Sequence, residues 1–197
     1  PCPDGAGGIL AMKKALEDAG MKPEEITYYN AHGTSTSAND TAETAMLKSV
    51  FGDYAYKLHV SSTKSETGHM VGGAGAIEAI MCVKAMEENF VPPTANLDNP
   101  DLEHGCDLDY TPKTGVACEV KATASCSLGF GGHNGCIILK KIVIEPAHTI
   151  LFLFPLTVNI YTVCPKEMCR PAPLTFVFNY GIMNQIPGII CSGVHNA

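Results

Sequence analysis

A strand gives way to a helix across the stretch Asn30-Ala31-His32-Gly33-Thr34-Ser35-Thr36-Ser37-Ala38-Asn39-Asp40. It follows an apolar, strand-like run from Ile26 to Tyr29. Asp40 and Glu43 have the spacing of a capping box, which predicts that the helix begins at Asp40. Ligands of open α/β sheets bind at the carboxyl ends of the strands. The stretch therefore predicts a polar site that contains His32, at the edge of an α/β sheet.

A second strand–loop–helix unit follows the first. Residues Lys57 to Thr63 are interpreted as a strand, which ends beside Lys64, and His69 follows a few residues later. The next helix, through Ile77 to Met86, begins among glycines and alanines. Because glycine costs roughly 1 kcal/mol relative to alanine in a helix, we expect this helix to be pressed against another backbone and buried. Two such units in succession predict a layered α/β domain.

The remaining elements are assigned from periodicity and turn residues. Apolar residues recur at helical spacing from Gly8 to Ala19. Pro92 to Glu103 is rich in proline and asparagine, which predicts a surface loop. Three apolar runs are interpreted as strands: Cys106–Tyr110, Val116–Ser125 and Asn134–Ile144.

Composition narrows the function classes. The chain has 197 residues, 46% of them hydrophobic, which is enough for one domain with an extension. A net charge of −7 argues against nucleic-acid binding, which needs a basic face. Nine scattered cysteines without paired short spacings favour reduced, intracellular thiols. The chain begins with Pro1 and shows no targeting segment, so we expect a fragment or processed piece.

The character of the sequence changes after Lys141. Residues 149–165 carry no charge, and Pro155 and Asn159 interrupt the apolar run. A membrane-spanning helix needs about 20 apolar residues, so we do not expect one here. A buried or edge β extension and a poorly ordered tail remain open. We therefore divide the chain into a domain, residues 1–141, and an apolar tail, residues 142–197.

The two histidines occupy corresponding places after successive strands. Either one alone could simply satisfy a loop, but His32, His69 and Lys64 at one sheet edge favour a catalytic site. Neutral imidazoles that donate N–H groups to one point can stabilise negative charge on a thioester oxygen. The hydroxyls of Thr34 and Thr36 suit the amide groups of a polar ligand arm.

Four motifs together resemble one enzyme family. They are His32-Gly33-Thr34-Ser35-Thr36, Ser62-Thr63-Lys64-Ser65-Glu66-Thr67-Gly68-His69, Pro92-Pro93-Thr94-Ala95-Asn96-Leu97-Asp98-Asn99-Pro100 and Gly129-Phe130-Gly131-Gly132-His133-Asn134. In order and spacing they resemble the β-ketoacyl-[acyl-carrier-protein] synthases, most closely the elongating type II condensing enzymes of bacteria and plastids. This resemblance implies an intracellular location, in the cytoplasm or a plastid. The resemblance covers residues 5–142, and the tail beyond is unlike the family.

The resemblance implies a thiolase-like α/β fold, of which this chain would be the carboxyl-terminal half. The family condenses malonyl-carrier protein with an acyl group held on a cysteine. His32 and His69 would polarise the malonyl thioester, with Lys64 as the catalytic lysine. Thr34 and Thr36 would contact the phosphopantetheine arm.

The resemblance also implies roles around this centre. Phe130 would be the gating phenylalanine and would bind substrate together with Gly131. Glu78 would support Lys64, and Asp40 would be a second supporting residue. No metal and no resident cofactor are expected, because phosphopantetheine arrives on the carrier protein. The expected partners are acyl carrier protein with acyl and malonyl thioesters and, for the full-length parent, a second copy, with neither nucleic acid nor membrane involved.

Two departures limit this interpretation. The family's nucleophilic cysteine context appears nowhere in the chain, and Cys126 is interpreted as a small buried thiol. Leu128 stands where the family often has phenylalanine, so the pocket wall could differ. We therefore expect this polypeptide to be inactive alone. A ketosynthase of a polyketide pathway and a non-catalytic carrier-protein-binding fragment remain alternatives.

Overall fold

The computed structural model describes residues 5–141, 154–163 and 174–180. The helices are α1 (Ala6–Ala19), α2 (Ser37–Phe51), α3 (Lys64–Thr67) and α4 (Ala74–Glu88). The strands are β1 (Tyr28–Asn30), β2 (His59–Ser61), β3 (Phe90–Val91), β4 (Val116–Ala117), β5 (Ala122–Leu128), β6 (Asn134–Lys140), β7 (Phe154–Val163) and β8 (Leu174–Tyr180). Short 3-10 turns cover Pro23–Glu25, Gly52–Tyr56, Val71–Gly73, Leu102–His104 and Phe130–Gly132.

Six strands form one mixed sheet in the order β2-β1-β5-β6-β7-β8. Strand β1 lies in the middle of a parallel trio with β2 and β5, and the remaining pairs are antiparallel. The register places Asn30, the last residue of β1, opposite Ser61 of β2 and Ser125 of β5. The parallel trio therefore brings the carboxyl ends of β1 and β2 to one edge, just before the loops that carry the two histidines.

The sheet is covered on both faces, as a layered α/β domain requires. Successive side chains of a strand point to opposite faces, and Tyr28 and Tyr29 accordingly belong to different core clusters. Tyr29 packs in the cluster that contains Met12 of α1 and Met46 of α2, whereas Tyr28 packs in the cluster that contains Met86 of α4. The predicted α/β fold class is confirmed.

Helix α4 is buried along one side only. Ala74, Glu78 and Cys82 face the protein and are at most 5% exposed. Gly75, Ala76 and Ile80 are exposed, and the Ile80 side chain is 55% accessible. The expectation of a buried helix is therefore met on the inner face of α4 and fails on its outer face.

Three local predictions differ from the structure. Helix α2 begins at Ser37, three residues before Asp40, and the predicted capping box does not form, because Glu43 bonds the His32 loop instead. Residues 106–110 form no strand and run as irregular chain. The run predicted as one strand from Val116 is divided into β4 and β5, which belong to different sheets.

The tail contributes two strands. Strand β7 pairs antiparallel with β6 and β8 pairs antiparallel with β7, so both extend the sheet beyond β6. Residues 142–153, 164–173 and 181–197, on which the prediction of a poorly ordered tail also falls, lie outside the described residues. None of the helices in the described ranges has the length and apolar composition needed to span a bilayer.

Candidate active site

The structure brings His32, Lys64 and His69 together at the carboxyl edge of β1 and β2. The two imidazole rings meet edge to face, with centroids 5.6 Å apart and planes at 90°. Lys64 Nζ lies 3.4 Å from His32 Nδ1. The two loops come together because β1 and β2 are parallel neighbours, with Asn30 opposite Ser61.

The surroundings of His32 favour its neutral form. The residue is only 9% exposed, and this burial, followed by the charge of Lys64 and the proximity of His69, lowers the pKa of His32 to about 4. A lysine ammonium has only donors, so it can bind Nδ1 of the neutral ring only as an acceptor. That tautomer places the ring proton on Nε2, where His32 can donate a hydrogen bond to a substrate oxygen.

Lys64 is itself fixed by a buried carboxylate. Its Nζ is hydrogen-bonded to Glu78 Oε1, and the two side chains are 6% and 1% exposed. Burial raises the pKa of Glu78, and the neighbouring Lys64 opposes that rise. Glu78 Oε2 is buried without a hydrogen-bond partner among the described residues. The carboxylate is therefore committed to Lys64 through one oxygen, and the pair holds the ammonium beside His32.

Glu43 anchors the turn that carries His32, a role that the sequence did not reveal. Its Oε1 accepts hydrogen bonds from the backbone N–H of His32 at 2.8 Å and the Tyr29 hydroxyl at 2.7 Å. Its Oε2 accepts from the backbone N–H of Gly33 at 2.8 Å and from Asn39 Nδ2 at 3.2 Å. Burial raises the pKa of Glu43, and these hydrogen bonds act against that rise. The only indication of this role in the sequence was the position of Glu43 among apolar residues of α2. Its spacing from Asp40 was equally consistent with a capping box.

A cavity of about 560 Å³ opens beside this cluster. Its wall includes Lys64, His69, Thr34, Thr36 and Asp40, whereas His32 does not line it. The hydroxyls of Thr34 and Thr36 lie 3.0 Å apart and can bind one another or a polar guest. The carboxylate of Asp40 accepts a hydrogen bond from the side-chain nitrogen of its neighbour in α2, Asn39, at 3.1 Å. Asp40 therefore contributes to the cavity wall, and its supporting role stays a prediction.

The glycine-rich turn lies apart from this cavity. The Phe130 side chain is 98% exposed, and neither Phe130 nor Gly131 lines the cavity. Gly131 has a φ of +76°, a conformation that suits glycine. Leu128 packs close to Gly8 of α1 and does not line this cavity, so its predicted effect on the pocket wall stays a prediction. The predicted roles of Phe130 and Gly131 stay predictions.

The cysteine of β5 lies in the core. Cys126 is fully buried opposite Cys136 of β6, and both are free thiols. Within residues 5–141, 154–163 and 174–180, no cluster of three or more histidine, cysteine or acidic side chains is arranged to hold a metal ion.

Comparison with known proteins gives the family. The model of the family described as "Beta-ketoacyl synthase, C-terminal domain" matches residues 1–98. The chain is 54% identical over 141 residues to 3-oxoacyl-[acyl-carrier-protein] synthase 2 of Synechocystis sp., covering 72% of this chain and 33% of that protein. This chain belongs to the β-ketoacyl synthase family. The synthase 2 of Coxiella burnetii is 50% identical over 142 residues, 72% of this chain and 34% of that protein. The chain thus spans about a third of the length of the curated β-ketoacyl synthases that it matches.

Solved structures of β-ketoacyl synthases have the same fold. A β-ketoacyl synthase from Burkholderia phymatum superposes with a TM-score of 0.67 at 35% identity, over 72% of this chain and 34% of that one. A complex of a type II polyketide acyl-carrier protein with its ketosynthase gives a TM-score of 0.68 at 35% identity, with the same coverage. The predicted thiolase-like fold and the predicted family are confirmed.

Proposed function

We propose that this chain supplies the thioester-polarising part of a 3-oxoacyl-[acyl-carrier-protein] synthase of fatty-acid biosynthesis. One observation supports this above the others: His32 lies against both Lys64 and His69, two residues that line a cavity, in a chain 54% identical to such a synthase. The activity is a decarboxylative Claisen condensation, which makes the protein an acyltransferase.

In the proposed reaction, His32 Nε2–H and the His69 ring donate hydrogen bonds to the carbonyl oxygen of the malonyl thioester. The bond between the α-carbon and the carboxylate then breaks, and CO₂ leaves. The electron pair of that bond stays with the α-carbon and forms an enolate, whose oxygen is stabilised by the two imidazoles. The enolate carbon attacks the acyl thioester on a cysteine, and the cysteine thiolate leaves. Burial and then the charge of Lys64 keep His32 neutral. Lys64 also orients the His32 ring, and Glu78 holds Lys64.

The nucleophilic cysteine would come from the part of the protein that this chain does not include. The outer side of α4 and the turn before it present apolar side chains to solvent, with Val71 82%, Met70 49% and Ile80 55% exposed. Exposed apolar patches of this kind mark interaction sites. We assign this surface, together with the 98% exposed Phe130, to contact with the amino-terminal portion. With the amino-terminal portion packed on this surface, Phe130 and Gly131 would contact the acyl group held on its cysteine.

The substrates would arrive on acyl carrier protein. The neighbouring hydroxyls of Thr34 and Thr36 in the cavity wall suit the amides of a phosphopantetheine arm, so no resident cofactor is needed. One solved neighbour is itself a complex of an acyl-carrier protein with its ketosynthase, which supports a carrier-protein partner here. We further propose that the full-length protein is a homodimer and works inside the cell, in the cytoplasm or a plastid.

The polyketide alternative has its own support. Solved neighbours include "The ishigamide ketosynthase/chain length factor", with a TM-score of 0.64 at 38% identity, over 69% of this chain and 32% of that one. The fatty-acid relatives reach 50% to 54% identity, and this difference favours fatty-acid synthesis. Saturated acyl groups and poly-β-ketoacyl groups, offered as competing acyl donors, would separate the two.

Malonyl-carrier-protein decarboxylation tests the assignment directly. The chain is assayed with and without the cysteine-bearing portion, as the natural sequence and as His32→Ala and His69→Ala. Removing one donor to a developing oxyanion costs about 10²–10³ in rate, so each variant should lose at least about 100-fold. His104→Ala is the matched control, because His104 is exposed and pairs with Asp101 on a separate turn. Activity that survives both site substitutions would overturn the assigned roles.

A further inference from the structure

Asn30, at the end of β1, connects the three segments that carry His32, Lys64 and Glu78. The residue is completely buried, and it lies two positions before His32 in the chain. A buried amide must find partners for both its donor and its acceptor groups. Its partners are therefore informative about what it does.

The carbonyl oxygen of the Asn30 side chain binds the residue directly before Lys64. Asn30 Oδ1 accepts hydrogen bonds from the Thr63 backbone N–H at 3.4 Å and from the Thr63 hydroxyl at 3.2 Å. Thr63 is fully buried and stands at the N-cap of α3, the short helix that begins at Lys64. This contact therefore ties Asn30 to the start of the helix that carries Lys64.

The amide nitrogen of Asn30 binds Glu78, the residue whose carboxylate pairs with Lys64. Asn30 Nδ2 donates to the backbone carbonyl oxygen of Glu78 at 3.4 Å and to the Thr63 hydroxyl at 3.1 Å. Glu78 lies on α4, on the other face of the sheet from α1 and α2. One side chain thus sets the separation between the start of α3 and the turn of α4 that carries the carboxylate.

We infer that Asn30 is a positioning residue that holds Lys64 in register with Glu78 and His32. This inference deepens the proposed function and rests on it only for the catalytic consequence. The acceptor group of the side chain is used on Thr63, and its donor group is used on both Thr63 and Glu78. Asp and Leu have similar sizes but cannot supply both, so the amide itself is the required chemistry.

The first test measures the reactivity of Lys64, which does not depend on catalysis. The full chain, together with its cysteine-bearing portion, is treated with formaldehyde and cyanoborohydride, and methylation of each lysine is followed by mass spectrometry. Lys64 is 6% exposed and paired, whereas Lys14 is 54% exposed and serves as an internal reference. In Asn30→Asp the carboxylate cannot donate to the Glu78 carbonyl. Local opening around Lys64 should then speed its methylation about tenfold, with Lys14 unchanged.

Two further variants complete the set. Thr63→Val removes the hydroxyl that binds the Asn30 amide, and it should also speed Lys64 methylation. It therefore tests the same contact if Asn30→Asp fails to fold. Tyr28→Phe is the matched control on the same strand, because its hydroxyl is equally buried and bonds Ser61 at 2.9 Å rather than Thr63 or Glu78. It should leave the methylation rate of Lys64 unchanged.

The second test concerns the reaction. A displacement of about 1 Å in a catalytic group can cost about 10²-fold in rate, so Asn30→Asp should lower kcat for malonyl decarboxylation by about that factor, with KM little changed. An unchanged methylation rate of Lys64 in both Asn30→Asp and Thr63→Val would overturn the inference whatever the activity. If the natural protein fails to decarboxylate malonyl-carrier protein, the proposed function falls, and the methylation rates still decide the position of Lys64.

Discussion

At the scale of single residues, the site depends on a histidine that its neighbours keep neutral. His32 has a lysine beside one ring nitrogen and a second imidazole packed perpendicular to its own ring. Protonating His32 would place two cations 3.4 Å apart in a mostly buried position. The side chain is therefore suited to donate a neutral hydrogen bond at physiological pH rather than to act as a cation.

This arrangement predicts a pH dependence of stability. The pKa of His32 is about 4 in the folded protein and about 6.5 in an unfolded chain. Below pH 6.5 the unfolded state binds more protons, so the free energy of unfolding falls as the pH is lowered from about 6.5 to 4. The contribution of His32 to this fall is at most about 3 kcal/mol.

Urea unfolding of the natural protein and of His32→Gln between pH 4 and pH 8 measures this contribution. Glu43 and Glu78 have raised pKa values and also titrate in acid, so only the difference between the two proteins isolates His32. As the pH falls from about 6.5 to 4, the free energy of unfolding of the natural protein should decrease more than that of His32→Gln. A difference that stays constant would mean that His32 is not held neutral.

At the scale of elements, the turn between β1 and α2 is built for close approach to β2. Gly33 has a φ of +39°, and a Cβ atom there would meet Ser62 Cβ at 2.5 Å and Ser62 Oγ at 2.6 Å. Ser62 Oγ donates to the Gly33 carbonyl oxygen at 2.8 Å, so the contact is specific. The absence of a side chain at Gly33 therefore lets the Ser62 side chain lie against the backbone of the His32 loop.

Gly33→Ala should therefore be much more costly than an ordinary glycine substitution. Alanine in a left-handed conformation costs about 1–2 kcal/mol, and overpacking against Ser62 adds about 1–3 kcal/mol. Gly20→Ala is the matched control, since Gly20 has a φ of +60° and open space around it. Denaturant unfolding of both variants measures the difference. Equal losses of stability would show that Ser62 yields without cost.

At the scale of the whole molecule, the described part of the chain forms a domain whose α4 side is exposed. The sheet packs against α1 and α2 on one face and α4 on the other, yet α4 leaves Ile80 and the preceding Val71 exposed. The chain also spans about a third of its curated relatives. These two facts together support a surface that the rest of the protein covers.

Ile80→Glu tests that surface. Surface substitutions usually change stability by no more than about 0.5 kcal/mol, so this chain alone should unfold at nearly the same denaturant concentration. Binding to the amino-terminal portion should weaken at least about tenfold, because a charge would be buried in the contact. Leu102→Glu is the control, since Leu102 is 65% exposed on a separate turn. Titration calorimetry compares the affinities, and equal affinities for the two variants would exclude α4 from the interface.

The sequence predicted those features whose signals are local. The positions of His32, Lys64 and His69 after successive strands predicted a shared sheet edge, because parallel strands end together. Two strand–loop–helix units in succession predicted the layered α/β domain. Glu78 was assigned to Lys64 by family resemblance, and the structure joins the two side chains.

Other features were decided only by contacts between distant segments. Glu43 has the spacing of a helix cap, but the turn folded against it supplies better donors in His32 and Gly33. Residues 106–110 look like a strand, but Thr44 and Thr94 bind this segment, through the hydroxyl and the carbonyl oxygen of Tyr110 respectively, as irregular chain. Their partners are many residues away in the sequence, so no local pattern encodes them.

By itself, the sequence determined the family, the layered α/β class and the residue types gathered at the sheet edge. The tertiary structure alone decided that Asn30 and Glu43 hold that edge, that His32 is neutral, and that α4 has an outer side without cover. The physical reason is that a motif is recognised from residues that are close together in the sequence. Burial, pKa and hydrogen-bond partnership arise only when strands and helices far apart in sequence are packed together.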